Sequence, residues 1–286
     1  MSDGDERQLS VAIEALRAGR VVPYLGPDTL SLEAEAQVPA TPEALATFLT
    51  ARVAVPYKIR KRLTQAAQFI ENFKHRRTLV GAMNAAFAAT PEPSELHWAI
   101  AACGAPLIVD TWYDDSMFAA LRGELGDCGW GQIQGLSQSE HMGTWTACYD
   151  ALGAPSAGVD SNWHTLLYRP LGGHSPAGNY LVSDSDFVEV LTEIDIQTPI
   201  PLVVQALRRG RHFLFLGCRF NDQLTRSFAR QICKRSSDLH WAVLPEEPTR
   251  MEARFLEEQG IERIALPLGV VAARLHAATT HSKLAV

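Results

Sequence analysis

The residues of this chain that could do chemistry sit at the ends of short apolar runs, and several are unusual for the places they hold. In VVPYLGPDTLS (residues 21–31), Val21, Val22, Tyr24 and Leu25 lead to Gly26, the kind of strand-to-helix turn that can cradle a phosphate on free N–H groups. Pro27 removes one such donor, and Asp28 puts a negative charge where an anion would lie. Asp28 or Thr29 could instead cap the next helix with the amides a phosphate would use. Two readings stay open: an anion site replaced internally, or one that takes a nucleotide in altered form.

Other candidates are weaker. Cys218 follows Gly217 at the end of an apolar run and is the best placed of five thiols, although a small buried hydrophobe would look the same. His141, His164 and His174 lie near Cys128, Cys148 and Asp160 in sequence, but no H-x-x-x-H or C-x-x-C spacing supports a metal. No G-x-S-x-G supports a serine nucleophile. Lys58, Arg60, Lys61 and Arg62 read as a solvated helix face, with an acidic partner as the minority reading. Trp130, Trp145 and Trp163 fall within or beside a stretch without period, and exposed tryptophans anchor interfaces.

These residues need elements to position them. Leu9, Ile13 and Leu16 recur at helical spacing, and Gly19 stands where a terminating glycine belongs, before the strand 21–25. Continuous apolar runs at 105–110, 164–168, 211–217, 239–244 and 261–266 read as strands covered on both faces. Helical patterns alternate with them: Asp114 as N-cap before Met117, Phe118 and Leu121; Ser183 before Phe187, Val190, Leu191 and Ile194; Asn221 before Leu224, Phe228 and Ile232. That order predicts an α/β fold, a doubly wound, mostly parallel Rossmann-like sheet with ligands beyond the carboxyl ends of its strands. Residues 41–103 read as a helical insertion, with Thr41-Pro42 at its start and a last helix capped by Ser94 and stopped by Gly104. Residues 123–163 read as a long irregular interaction loop. The whole of 1–286 reads as one domain.

The formal charge of −6, from 26 basic and 32 acidic residues, gives no global support for nucleic-acid binding. Five cysteines, odd in number and far apart, suggest neither a disulfide framework nor a zinc ribbon. The start MSDGDERQLS is acidic rather than basic and then apolar, so no leader is expected, and no apolar run approaches the roughly 18 residues of a membrane span. A reducing, bacterial-type cytoplasm is the expected location.

Four segments together resemble the landmarks of the sirtuin-like superfamily, in its bacterial branch without the zinc ribbon. VVPYLGPDTLS resembles the first strand and Gly-Ala-Gly-x-Ser loop; PSELHWAIAACGAPLIVDTWYDDSMFAAL (93–121) resembles the segment bearing Thr-Asn-Tyr-Asp. LLYRPLGGHSPAGNYLVSDSDFVEVL (166–191) resembles the strand carrying Leu-His-Gly, and HFLFLGCRFNDQLTRSFAR (212–230) the late strand ending in Phe-x-Gly. The resemblance implies an NAD cleft formed by Gly26, Asp28, Thr29, Thr111, Trp112, Asp114, Gly172, Gly217 and Cys218, with Gly26, Thr111, Gly172 and Gly217 converging at the carboxyl edge. It also shows departures. Gly26-Pro27-Asp28 replaces the loop that wraps the pyrophosphate, Trp112 replaces the asparagine that positions ribose and water, and Gly172 replaces the catalytic histidine. An indole lacks an amide's acceptor, and glycine offers no base; His174, two residues on, could swing into the vacancy.

The expectation is therefore a sirtuin-like protein with a degenerate NAD site, a pseudoenzyme that binds another protein, with no cofactor, metal, nucleic acid or membrane partner; homo-oligomerisation is left open. The alternative is a divergent NAD-consuming enzyme, an NAD hydrolase or protein deacylase, with Asp114 and His174 as candidate catalytic groups.

Overall fold

The computed structural model describes residues 3–32, 37–193 and 199–283, with side chains through residue 279. Helix α1 (Asp3–Arg17) buries Leu9, Ala12 and Leu16. Gly19, at φ 67°, ends it, and the amides of Gly19 and Arg20 bond back to the carbonyls of Leu16 and Ala15. A left-handed glycine satisfies the last turn in this way, and the chain enters β1 (Val21–Leu25), buried throughout. A 3-10 turn over Pro27–Leu32 follows, then α2 (Pro42–Arg52), α3 (Leu63–Lys74), α4 (Arg76–Ala86), α5 (Glu95–Ala102), β2 (Leu107–Asp110) and α6 (Ser116–Leu125). Next come β3 (Trp130–Gly135), β4 (Thr146–Asp150), β5 (Pro155–Ser156), β6 (Thr165–Arg169), the hairpin strands β7 (Gly172–Gly173) and β8 (Asn179–Tyr180), and α7 (Asp184–Glu193). The chain ends with α8 (Leu202–Arg208), β9 (His212–Leu216), α9 (Gln223–Cys233), β10 (His240–Val243), α10 (Arg250–Glu258), β11 (Ile261–Ile264) and α11 (Leu268–Lys283). Ile194 lies outside the described residues.

One sheet takes the order β11-β10-β9-β1-β2-β6-β3-β4-β5. Every pairing from β11 to β3 is parallel, and β4 and β5 extend the edge antiparallel. The order reverses between β1 and β9, which is where a doubly wound sheet opens a crevice for ligands. Each face carries its own core. Tyr24, Val109, Tyr168, Phe213 and Phe215 pack against the helical segments holding Leu45, Ile70, Met83, Phe187 and Phe228. Leu25, Ile108, Leu167 and Leu216 pack against Leu9, Leu96, Ile100, Leu121 and Leu275. The helical stretch 41–103 is thus divided: α2 to α4 cover the first face and α5 the second.

Helix starts follow local chemistry, with small shifts from expectation. Thr41 Oγ1 accepts from Ala44 N at 3.1 Å. Ser94 caps α5 in a reciprocal box in which His97 Nδ1 accepts from Ser94 N. The cap of α9 is Asp222, accepting from Leu224 N and Thr225 N, rather than Asn221. Asp114 accepts from Ser116 N at 2.8 Å, while Asp115 holds the cap position of α6.

The reading of 123–163 as an irregular loop is corrected: it contains β3, buried along its length, as well as β4 and β5. WGQIQG hides its burial because Gln132 and Gln134 are polar side chains turned inward, where Gln134 Nε2 donates to Gln132 Oε1 and to the Ser175 carbonyl. Trp130 is fully buried with its N–H on the Gly126 carbonyl, and Trp145 and Trp163 pack against the core rather than facing outward as anchors.

At the end of β3, a Cβ on Gly135 would stand 2.1 Å from the Pro170 carbonyl oxygen, a backbone atom that cannot swing away. Gly135→Ala should lower stability by about 1–3 kcal/mol through overpacking, read as a reduced urea midpoint; an unchanged midpoint would show that this edge yields freely.

Candidate functional site

The crevice is built where β1 and β9 end. Gly26 N donates to Leu216 O, Asp28 N to Gly217 O, and Thr29 N to Gly26 O, while Pro27 has no N–H to offer. The loop's amides at 26, 28 and 29 are therefore satisfied by backbone. The side-chain caps expected here are not made: Thr29 Oγ1 donates to the Gly26 carbonyl at 2.8 Å, and the Asp28 carboxylate has no hydrogen-bond partner among the described residues. Burial pushes the Asp28 carboxyl up, against the pull of Arg219 and with the push of Glu43 and Glu246.

Next to this loop, β2 ends in Asp110 and Thr111. Thr111 donates through both N and Oγ1 to the Leu25 carbonyl. Trp112 is buried; its backbone N–H reaches Asp110 Oδ1 at 3.2 Å and its indole N–H the Pro39 carbonyl at 2.9 Å. Phe87 meets the indole edge-on and Tyr113 lies 5.0 Å away, so the ring is a fixed wall. Beneath it, a fully buried Arg169 donates to Asp115 Oδ1 at 3.0 Å, to the Ser175 carbonyl and to the Asp114 carbonyl, with Asp110 Oδ2 3.9 Å from Nε. Burial lifts Asp110 to about 7, opposed by Arg169 and reinforced by Asp114.

Gly172 and His174 have other work. A Cβ on Gly172, at φ 76°, would come 2.2 Å from the Asn179 carbonyl oxygen, and one on Gly173 would strike the Arg169 guanidinium. Any side chain is excluded at 172 by the β7–β8 hairpin. The His174 ring pairs through Nδ1 with Tyr180 Oη at 3.2 Å, and Tyr180 Oη donates to Asn84 Oδ1. Cys218 is buried, and burial holds its thiol well above the ordinary range.

Two cavities adjoin the β1–β9 junction. The larger, about 480 Å³, brings together Gly26, Asp28, Thr111, Trp112 and Cys218, with Tyr24, Phe187 and Phe228 behind them. The smaller, about 280 Å³, lies over the ends of β9 and β10 and includes Gly217; the two share Asp28, Cys218 and Arg219 as lining. Thr29 is packed against Gly217, while Asp114, Gly172 and His174 do not line either cavity. Lys61 and Arg62, read from the sequence as part of a solvated helix face, line the larger cavity, and sequence reasoning missed Arg219, held by Glu252 at 3.1 Å. The signal for Lys61 and Arg62 was the basic run directly before the amphipathic helix α3. Among the described residues no three His, Cys, Asp or Glu side chains group as a metal ion would need, and no helix is long and apolar enough to cross a membrane.

In comparison with known proteins, residues 106–264, more than half of the chain, match the SIR2-like domain. The match runs from just before β2 to the end of β11, so the β1 loop lies outside it. No curated protein matches the sequence.

The raised Asp110 carboxyl has a consequence for stability. Its native form is protonated up to about pH 7, whereas the unfolded group ionises near ~3.9. A raised native value stabilises the fold at low pH and is lost as pH rises through it. Asp110→Asn, which keeps an acceptor for Trp112 N, should therefore gain on the native protein progressively from about pH 4 to 7 and level off above. Parallel stability profiles for the two proteins would refute the assignment.

Proposed function

The chain belongs to the SIR2-like domain family, and from its cleft we infer a member with a degenerate NAD site, a pseudoenzyme that acts by binding another protein. SIR2-like domains generally bind NAD, and the residues here fit that cofactor poorly. The β1 loop carries this reading. A dinucleotide spanning both cavities passes the lining they share, which sets its pyrophosphate beside the Asp28 carboxylate, in a loop whose amides at 26, 28 and 29 are already bonded. A unit charge about 4 Å from that carboxylate costs roughly 4 kcal/mol at the effective dielectric of a partly solvated cleft.

The groups that would turn the cofactor over fit no better. Gly172 cannot carry a side chain on this backbone, His174 is directed to Tyr180, and Trp112 is clamped from Asp110, Pro39 and Phe87. Binding as the mode of action draws support from the exposed Tyr57, Phe73 and Met142, side chains of the kind enriched at protein interfaces.

One observation favours the other reading, a divergent NAD hydrolase or deacylase. Asp28 lines the larger cavity as a carboxyl raised by burial and without a hydrogen-bond partner among the described residues, which is the condition of a general base.

Incubation with NAD should release no nicotinamide above a buffer control, and NAD should leave the melting temperature unchanged, since only a native-state ligand raises it. Turnover abolished by Asp28→Asn would establish the enzyme reading instead. Trp112 blocks by volume and Asp28 by charge, so Trp112→Asn with Asp28→Gly should bind NAD measurably by calorimetry while each single change gives little, a non-additivity expected of neighbours. Tight binding by the native protein, with Trp112 against the cofactor, would overturn the degenerate-site reading.

A further inference from the structure

Asp110 ends β2 with its two carboxyl oxygens in different company. Oδ1 accepts from Trp112 N at 3.2 Å, whereas Oδ2 stands 3.9 Å from Arg169 Nε, a fully buried N–H with no hydrogen-bond partner among the described residues. A charge-assisted bond between the two would be about 1 Å shorter. A buried donor left open costs free energy, and an ionised carboxylate at that distance would close on it. The gap fits a carboxyl group that carries its proton.

The surrounding groups give the reason. Asp110, Asp114 and Asp115 act on one guanidinium, and Asp115 takes the close pair at 3.0 Å. Asp115 also accepts from Ser175 N and Asp114 from Ser116 N, while Oδ2 of Asp110 accepts from no group among the described residues. Three acids facing one cation leave a proton on the member without a close partner. Burial raises the Asp110 carboxyl to about 7, with Arg169 and Trp112 N opposing and Asp114 and Asp115 adding to it. The other titratable neighbours are His97 of α5, lowered by burial against the pull of Asp114; buried Cys218 at the end of β9; and His174, whose backbone N–H donates to the Tyr113 carbonyl.

Trp112 is tied at both ends, its backbone to Asp110 and its indole N–H to the Pro39 carbonyl, two residues ahead of the Thr41 cap of α2. We propose that Asp110 and Arg169 form a proton-operated switch on the cavity wall: with the proton on, the carboxyl holds Trp112 N and Arg169 Nε stays open; with the proton off, Oδ2 closes on Nε and Trp112 shifts. The carboxylate's move toward Arg169 loosens its hold on the Trp112 amide, and the ring, which lines the larger cavity, moves against the entry to α2. Asp110 keeps 7% of its side-chain surface exposed, which lets the proton exchange with solvent. The inference concerns the wall and not its occupant, so it is independent of whether the cleft binds or cleaves NAD.

Fluorine NMR of the full chain labelled with 5-fluorotryptophan tests it, the Trp112 signal being the one lost in Trp112→Phe. In the native protein that signal should move in one step with a midpoint near pH 7, together with the Asp110 carboxyl carbon followed by carbon-13 NMR. Asp110→Asn keeps an acceptor for Trp112 N but offers Arg169 Nε no charge. Its Trp112 signal should therefore stay at the native low-pH position throughout the same titration. A native signal that does not move, a step that persists in Asp110→Asn, or a variant fixed at the high-pH position would each overturn the proposal. Should the variant fail to fold, the native protein decides: a Trp112 step that does not coincide with the Asp110 titration belongs to another group, such as His174, and refutes the switch.

Discussion

The closest approach in the crevice is between two glycines. A Cβ on Gly26 would lie 2.4 Å from the Gly217 carbonyl oxygen, and one on Gly217 would lie 2.5 Å from Thr29 N. This contact lets β1 and β9, the strands on either side of the reversal, join through Gly26 N and Asp28 N on the Leu216 and Gly217 carbonyls. The same bonds that close the sheet use the amides a phosphate would need. Strand pairing and anion binding compete for one set of donors here, and pairing takes them. On the degenerate-site reading proposed above, the Asp28 carboxylate, which has no hydrogen-bond partner among the described residues, is tolerable in such a loop because no phosphate lies beside it.

A second constraint acts from below. Arg169 is a charge with no solvent exposure, surrounded by Asp110, Asp114 and Asp115 and the carbonyl of Ser175. Buried charges require partners, so this guanidinium fixes the end of β6, the start of α6 and the β7–β8 hairpin in one arrangement. Gly173 has to be glycine to admit it, and Asp110, raised by the same burial, holds the backbone of Trp112. The wall of the cavity is thus set by an ion cluster that itself lies outside the cavity.

Much of the fold was legible because it rests on patterns a sequence carries openly. The runs at 21–25, 105–110, 211–217, 239–244 and 261–266 contain β1, β2, β9, β10 and β11, and the run at 164–168 covers all of β6 but its last residue. What was hidden was β3, since a strand whose inward residues are glutamines bonded to each other imitates a loop. The site was legible in part. Gly26, Asp28, Thr111, Trp112 and Cys218 gather at the cavity because they end parallel strands. His174 was drawn away by a hydrogen bond to Tyr180, a partner that no spacing rule announces. Lys61 and Arg62 looked like solvent-facing charge because only the folding of α2 to α4 over the sheet brings the start of α3 to the crevice.

That folding depends on polar contacts at the far end of the same helices. Arg76, at the start of α4, donates to Asp186 at 2.9 Å and to the Tyr180 carbonyl and pairs with Glu140 at 3.2 Å; Gln68 accepts from Ser185 N and Glu71 from Ser139 Oγ. Asp186 has no side-chain exposure and also accepts from Ser137 and Ser183. Removing one member of such a network leaves a buried charge unpaired, which typically costs about 3–5 kcal/mol. The helices over the crevice are therefore held to the sheet by the protein's own ion pairs. On the binding reading proposed above, a cleft fixed in this way suits recognition of a preformed shape, whereas closure around a reacting cofactor would require contacts that release as readily as they form.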